Sequence, residues 1–276
     1  MLVRSGTEKP AMYVSCSSCV EAHRPLPEAL RRIAELGFRA VDLLIIAGMK
    51  HLHPQHLLEA GARRQVAAAI AEAGLTVSSF NCGFSVPFSD DAAARVQRER
   101  EFVAMLSLAD EVGCPLLNFQ LGGMREGETR EGARERLGAG LHELTAWKGD
   151  RDLRLTFEPH YGSPAEEPAQ ALALVERVWP EVGIAYDPSH FAMHPAVASL
   201  AESEPLLDYA QHVHVRNAAP GRMQAPMEEG TVDFAWLVAA LRKRGYAGAL
   251  AIEYLDGEEA EAVKLRDVLV GLGVPL

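Results

Sequence analysis

Long apolar runs are missing from this chain. No segment supplies the roughly 18 consecutive apolar residues of a membrane-spanning helix, and no apolar stretch near the start has the form of a secretory leader. Basic residues are in deficit: 27 Lys and Arg stand against 38 Asp and Glu, a formal net charge of −11. A nucleic-acid binder needs the opposite bias or at least a concentrated basic face. The densest basic run, Arg242-Lys243-Arg244, closes a predicted helix, where cations suit the dipole. Cysteine is scarce too, and four in 276 residues make no disulfide framework. Cys16 and Cys19 form a lone Cys-x-x-Cys without a second pair, read here as ordinary reduced thiols. No Gly-x-Gly-x-x-Gly follows a strand and no P-loop is present, which removes the common dinucleotide and nucleoside-triphosphate folds. These absences lead to the expectation of a cytoplasmic protein with a small-molecule partner, no nucleic acid and no membrane, and with a homo-oligomer left open.

What is present is a steady alternation of strands and helices. With 48% hydrophobic residues the chain has ample material for a core. Strands are expected at Met12–Ser15, Ala40–Ile46, Leu75–Phe80, Pro115–Gln120, Leu153–Glu158, Val182–Asp187, His212–Val215 and Ala249–Glu253. Helical spacing fills the intervals, at Leu26–Leu36, from about Gln55 to Ala73, from the Ser89-Asp90-Asp91 cap to Val112, and at about Thr129–Trp147. It continues at about Pro164–Trp179, Ala196–Leu207, Phe234–Arg244 and Glu258–Leu269. Eight such units of about 30 residues are what a single (β/α)8 TIM barrel requires. With no linker or low-complexity stretch, residues 1–276 read as one α/β domain.

The strand ends carry the chemistry. Side chains alternate between the two faces of a strand, and in a barrel one face points inward. Leu155 and Phe157 form an apolar helix-facing set, leaving Thr156 and Glu158 inward. Ile184 and Tyr186 oppose Ala185 and Asp187, Val213 and Val215 oppose His212 and His214, and Leu250 and Ile252 oppose Ala251 and Glu253. In each of these strands the last inward residue is an acid or an imidazole. Carboxylates crowded at one barrel mouth repel one another unless a cation joins them. Glu158, Asp187, His214 and Glu253 are therefore expected to bind one divalent metal, with Mn²⁺, Co²⁺ or Mg²⁺ favoured by the oxygen-rich set and Zn²⁺ compatible with it. His212, one inward layer below His214, reads as a packed and hydrogen-bonded barrel histidine. His51, His53 and His56 read as a solvated loop, with a place facing the mouth as the alternative.

The same residues resemble those of the xylose-isomerase-like barrel superfamily, which includes sugar isomerases, ketose epimerases, inosose dehydratases and the endonuclease IV group. Phe157-Glu158-Pro159-His160 looks like that family's Glu-Pro-His stretch, and Asp187-Pro188-Ser189-His190 like its Asp-Pro-x-His signature. His212-Val213-His214-Val215-Arg216-Asn217 is similar to its His-x-His-x-Lys-Asp pattern, Gly230-Thr231-Val232-Asp233-Phe234 to its Gly-x-x-Asp-Phe turn, and Ile252-Glu253-Tyr254 to its final Ile-Glu-Tyr. The resemblance places the metal on the four residues already named and substrate oxygens on His190 and Arg216. We add His160 and Gln120 to the substrate-binding set. It also implies that Glu158 and Glu253 trade a proton with the carbon next to a carbonyl, as the catalytic pair of an isomerase or epimerase acting on a small sugar, keto-sugar or polyol derivative. The departure is Arg216-Asn217 where Lys-Asp is common, which bears on the identity of the substrate.

The resemblance leaves two further readings: a keto-polyol dehydratase starting from the same proton abstraction, and a non-catalytic barrel that keeps the metal. The nuclease branch is disfavoured, because Gln120 stands where that group has a histidine and Met223–Glu229 offers no Asp-x-His pair. Loop Asn217–Gly230 could serve as a lid or as an ordinary connection. Arg125 and Arg222 read as surface charges, with anion binding as the alternative. Cys82, Phe84 and Tyr161 are candidates for the pocket wall.

Overall fold

The structure, a computed structural model, describes residues 11–47, 51–83, 91–255 and 257–276. The barrel strands are β1 (Tyr13–Ser17), β2 (Ala40–Ile45), β3 (Thr76–Cys82), β4 (Leu116–Gln120), β5 (Arg154–Glu158), β6 (Val182–Tyr186), β7 (Ala210–Val215) and β10 (Ala249–Ile252). They close in the order β1-β10-β7-β6-β5-β4-β3-β2, every neighbour parallel. This is a single (β/α)8 TIM barrel. Among the described residues no helix is long and apolar enough to cross a membrane.

Helices α1 (Leu26–Glu35), α2 (Ala60–Ala73), α3 (Ala92–Val112), α4 (Arg130–Lys148), α5 (Pro168–Val178), α7 (Phe234–Lys243) and α8 (Glu259–Gly271) follow their strands around the outside. Their ends follow local chemistry. Asp91 caps α3 by accepting the Ala93 N–H, Thr129 caps α4 through Gly132, and Asp233 caps α7 through Trp236. Gly74 and Gly113 stop α2 and α3 in the left-handed region. Phe84, Ser89 and Asp90, named above from the sequence, lie outside the described residues.

Two expected helices come out differently. The stretch from Gln55 is not continuous with α2: a 3-10 helix, Pro54–Leu58, precedes it, capped by the ring of His53. In place of a helix over Ala196–Leu207 there is a 3-10 segment, Leu200–Tyr209, which starts in a Ser199–Glu202 capping box and contains Pro205. The connection after β7 holds a small antiparallel pair, β8 (Ala218–Ala219) with β9 (Arg222–Met223).

Between sheet and helices the packing is apolar: Leu155, Phe157, Ile184, Tyr186, Val213, Val215, Leu250 and Ile252 are all buried there. The barrel interior is different. Ser15 shares a hydrogen bond with Ser78 (2.8 Å), Ser79 with His212 (3.2 Å), and Thr156 donates to Asn118 (3.1 Å). These bonds tie strands across or around the lumen, and most TIM barrels fill that space with branched aliphatics instead. A slip of β2 against β3, between Val41 and Asp42, brings Asp42 level with Ser79.

Candidate metal centre

The inward ends of β5, β7 and β10 meet above this polar layer. Glu158 closes β5 beside Gln120, its register partner on β4. His214 Nδ1 lies 2.9 Å from Glu158 Oε1 and 3.5 Å from Glu253 Oε2. These residues form one group whose potential ligand atoms lie within 4.8 Å of one another, and Glu158, Asp187 and His190 form a second. Glu158 is common to both. The four residues expected to share one cation are thus distributed over two overlapping groups, with His190 as an additional donor. All five are buried.

Asp187 serves two purposes. Its Oδ1 accepts the Ser189 N–H (2.8 Å) and caps a short helix, α6 (Pro188–Met193). His190 accordingly sits on a helix rather than in a loop, because Pro188 at the first helical position and the Asp187 cap together start a turn. Asp187 Oδ2 is buried without a hydrogen-bond partner, although Arg216 Nη2 stands 2.9 Å away as an ion pair. A carboxylate oxygen without a hydrogen bond, grouped with Glu158 and His190 and joined through Glu158 to His214 and Glu253, is part of a donor set suited to a hard or borderline divalent ion. The residues present fit such an ion.

Electrostatics sort the titratable groups. Burial raises Glu253, and the nearby positive charge of His214 and Arg216 does not fully offset it, leaving its carboxyl at about 7. Burial acts on Glu158 as well, but His214 outweighs it and holds that carboxyl well below the usual range. Burial lowers His214, yet the charges of Glu253 and Glu158 and the bond to Asp42 raise it above an ordinary imidazole. His190 goes the other way: burial pushes it down to about 4 against the pull of Asp187, and Arg216 adds to the fall.

Arg216 was expected to bind substrate oxygens. Its Nε donates to Ser189 Oγ (2.9 Å), Nη1 to the Glu253 carbonyl (3.2 Å), and Nη2 lies 3.0 Å from His190 Nε2. Nη1 also stands 3.2 Å from Glu253 Oε2. The guanidinium thus braces two of the carboxylates. His160 Nδ1 donates to the Tyr161 carbonyl (2.9 Å), which leaves its Nε2 lone pair buried and without a partner. Gln120 is half-buried at the same rim.

Asp42 and Asn81 escaped the sequence reading. Asp42 Oδ2 accepts from His214 Nε2 (2.8 Å), and Asn81 Nδ2 donates to Glu253 Oε1 (2.5 Å). Burial raises the Asp42 carboxyl, but bonds to His212 and His214 hold it at about 2. A signal for Asp42 existed: it is the one acid in an otherwise apolar strand, and a buried acid needs a partner. Asn81 lies one residue past Phe80, where the third strand was expected to end.

Other expectations are corrected by packing. His51 is buried with its ring between the carbonyls of Arg24 (3.0 Å) and Ser18 (2.7 Å), so it fastens the turn after β1 instead of lying in a solvated loop. His53 is half-buried and His56 exposed. His212 takes the packed, hydrogen-bonded place expected of it. Arg222 pairs with Glu229 (2.6 Å) on the surface. All four cysteines are buried and outside any disulfide, and Tyr161 is exposed with its ring edge against His194.

A family model described as xylose isomerase-like TIM barrel matches residues 30–270. The chain belongs to that family. Comparison with curated protein sequences gives no match. Among solved structures, a xylose isomerase-like TIM barrel protein from Mycobacterium smegmatis in complex with magnesium is 18% identical, with 97% of this chain and 98% of that one covered at a TM-score of 0.75. The 3-keto-D-glucoside 4-epimerase from E. coli, in its apo form, is 23% identical over 95% and 99% at 0.71. A D-allulose 3-epimerase from Methylomonas sp. is 15% identical over 95% and 98% at 0.74. At these identities the likeness is one of fold, and two of the proteins that share it are named as sugar epimerases.

Proposed function

We propose that this family member is a divalent-metal-dependent isomerase or epimerase of a small sugar, keto-sugar or polyol derivative. The observation that carries the reading is the buried Glu158–His214–Glu253 group, joined through Glu158 to Asp187. Glu158, Asp187, His214 and Glu253 would hold the ion, which when bound supplies Lewis-acid stabilisation of negative charge next to a carbonyl. Its neighbours named for sugar epimerases support the same class of substrate.

The remaining work falls to the chain's own residues. Glu158 and Glu253 both approach His214 Nδ1, at 2.9 and 3.5 Å, so one carboxylate can take a proton from a substrate carbon beside them and the other can return one. Such acid–base help contributes about 10²–10⁴-fold. Arg216 and Asn81 keep Glu253 from rotating away, through the contacts at Oε2 and Oε1. His160 Nε2 offers a lone pair to a substrate hydroxyl, and Gln120 lies at the rim beside it. Burial of the carboxylates excludes bulk water, which strengthens each of these interactions.

The test is NMR of a panel of ketoses with the Mn²⁺-loaded protein in D₂O. Deuterium entering the carbon next to the carbonyl, without water loss, is the expected result. Loss of water with a new double bond would replace epimerisation by dehydration, and no exchange into any sugar would remove the catalytic reading.

A further inference from the structure

The geometry points to Asp42 as a positioning residue that fixes which nitrogen of His214 faces the cation, an inference that rests on the metal-dependent reading above. An imidazole can ligate through one ring nitrogen while the other carries a proton, and whichever hydrogen bond that other nitrogen makes sets the choice. In this barrel Nδ1 is the nitrogen that points at Glu158 and Glu253. Nε2 points the opposite way, 2.8 Å from Asp42 Oδ2, on a strand three places around the barrel. A carboxylate can only accept, so the bond keeps a proton on Nε2. Without an ion Nδ1 carries one as well, facing Glu158 Oε1 at 2.9 Å, and that is the proton a bound cation would replace.

The supports of Asp42 are as enclosed as the ligand. His212 Nε2 lies 3.6 Å from the same Oδ2 and 3.2 Å from Ser79 Oγ, and its ring stands edge-on to His214 with centroids 4.8 Å apart. Asp42, Ser79, His212 and His214 are all buried. The β2/β3 slip sets the depth of Asp42, since it shifts the register at that residue. The register slip, the acceptor-only oxygen and the second imidazole together hold the His214 ring in one orientation, with Nε2 protonated and Nδ1 turned to the carboxylates.

Asp42, His212 and His214 could instead be a cation site of their own, since their candidate ligand atoms also lie within 4.8 Å of one another. The positioning role predicts one ion per chain. A second ion lost with Asp42 would mean that the residue is a ligand.

The experiment compares Mn²⁺ uptake by the wild type, Asp42→Asn, His214→Asn and the double variant, each first shown to be folded by its thermal transition without metal. Asp42→Asn keeps the shape but offers an amide that can donate to Nε2 and send the ring proton to Nδ1. We expect Mn²⁺ affinity to fall by about 10–100-fold, the range found when such partners are removed. Acting through His214, Asp42→Asn should then change affinity by less than about twofold in the His214→Asn background. A long-range ¹⁵N NMR spectrum of the Mg²⁺-loaded wild type should show His214 protonated at Nε2. Unchanged Mn²⁺ affinity in Asp42→Asn, fully multiplicative losses in the double variant, or two ions per chain would each overturn the inference while leaving the metal reading intact. Failure of the wild type to take up Mn²⁺ at millimolar concentration would overturn both.

Discussion

Glu253 is the residue where burial and function pull hardest against each other. Its carboxyl is enclosed at the barrel mouth, gripped at one oxygen by Asn81 and at the other by Arg216. Glu253→Gln keeps the shape and removes the charge and the proton shuttle together. Solvent deuterium exchange into substrate should fall by about 10²–10⁴-fold, and a metal titration should show weakened uptake. His190 allows a test of stability in the metal-free protein. Its ring sits at about 4 when folded, below the ordinary value of 6.5. The unfolded chain therefore takes up a proton that the folded one refuses. The contribution of His190 to stability is constant above about pH 6.5, declines as pH falls toward 4 and levels off below that, by about 3 kcal/mol in all. Glu253, held at about 7, slopes the opposite way over much of that range, so the share of His190 is read as the difference between the wild type and His190→Gln in urea unfolding at a series of pH values.

Among the elements, the connection between β7 and α7 accounts for Asn217 where the family resemblance suggested Asp. Asn217 Nδ2 donates to the carbonyls of Pro226 (3.3 Å) and Met227 (3.1 Å), while Oδ1 accepts from Ala218 N (3.0 Å) and Val232 N (3.2 Å). An aspartate there would set oxygen against carbonyl oxygen twice. Asn217→Asp should cost about 2–4 kcal/mol, given about 1–3 kcal/mol for each buried group left unpaired. Hydrogen exchange should show the loss concentrated in residues 218–232. The departure belongs to the architecture of this loop, a role that identity alone could not reveal. The barrel strands were legible to within about two residues because alternation and turn residues mark them. The inward phase of Glu158, His214 and Glu253 followed from that alternation. Asp42 was hidden because its partner, His214, lies 172 residues away and nothing local announces the pairing. The proline-bearing segment Leu200–Tyr209 misled in another way: apolar spacing suggested an α-helix, and Pro205, which disrupts an α-helix interior, stands inside a 3-10 segment instead.

For the whole molecule, a cation that joins three buried carboxylates should be a large part of the stability of the loaded state. At a free-ion concentration 100 times the dissociation constant the gain is about 2.7 kcal/mol. For a chain of this size that corresponds to a rise of about 5–10 °C in Tm. Differential scanning fluorimetry with Mn²⁺ and then with a chelator should show the rise and its reversal. Asp187→Asn should remove most of this rise, read as the difference between its own loaded and metal-free transitions, because loss of the buried pair with Arg216 lowers the metal-free transition as well.

The polar lumen has its own consequence for how this barrel could be divided. Ser79 to His212, Asp42 to His214, Asn81 to Glu253 and Asn118 to Thr156 each connect the β1–β4 half to the half beginning at β5. Cut between those halves, the chain would present two surfaces whose donors and acceptors are keyed to each other. Co-expressed fragments would recognise their true complement by matched wiring, and a half taken from an oil-filled barrel would be refused.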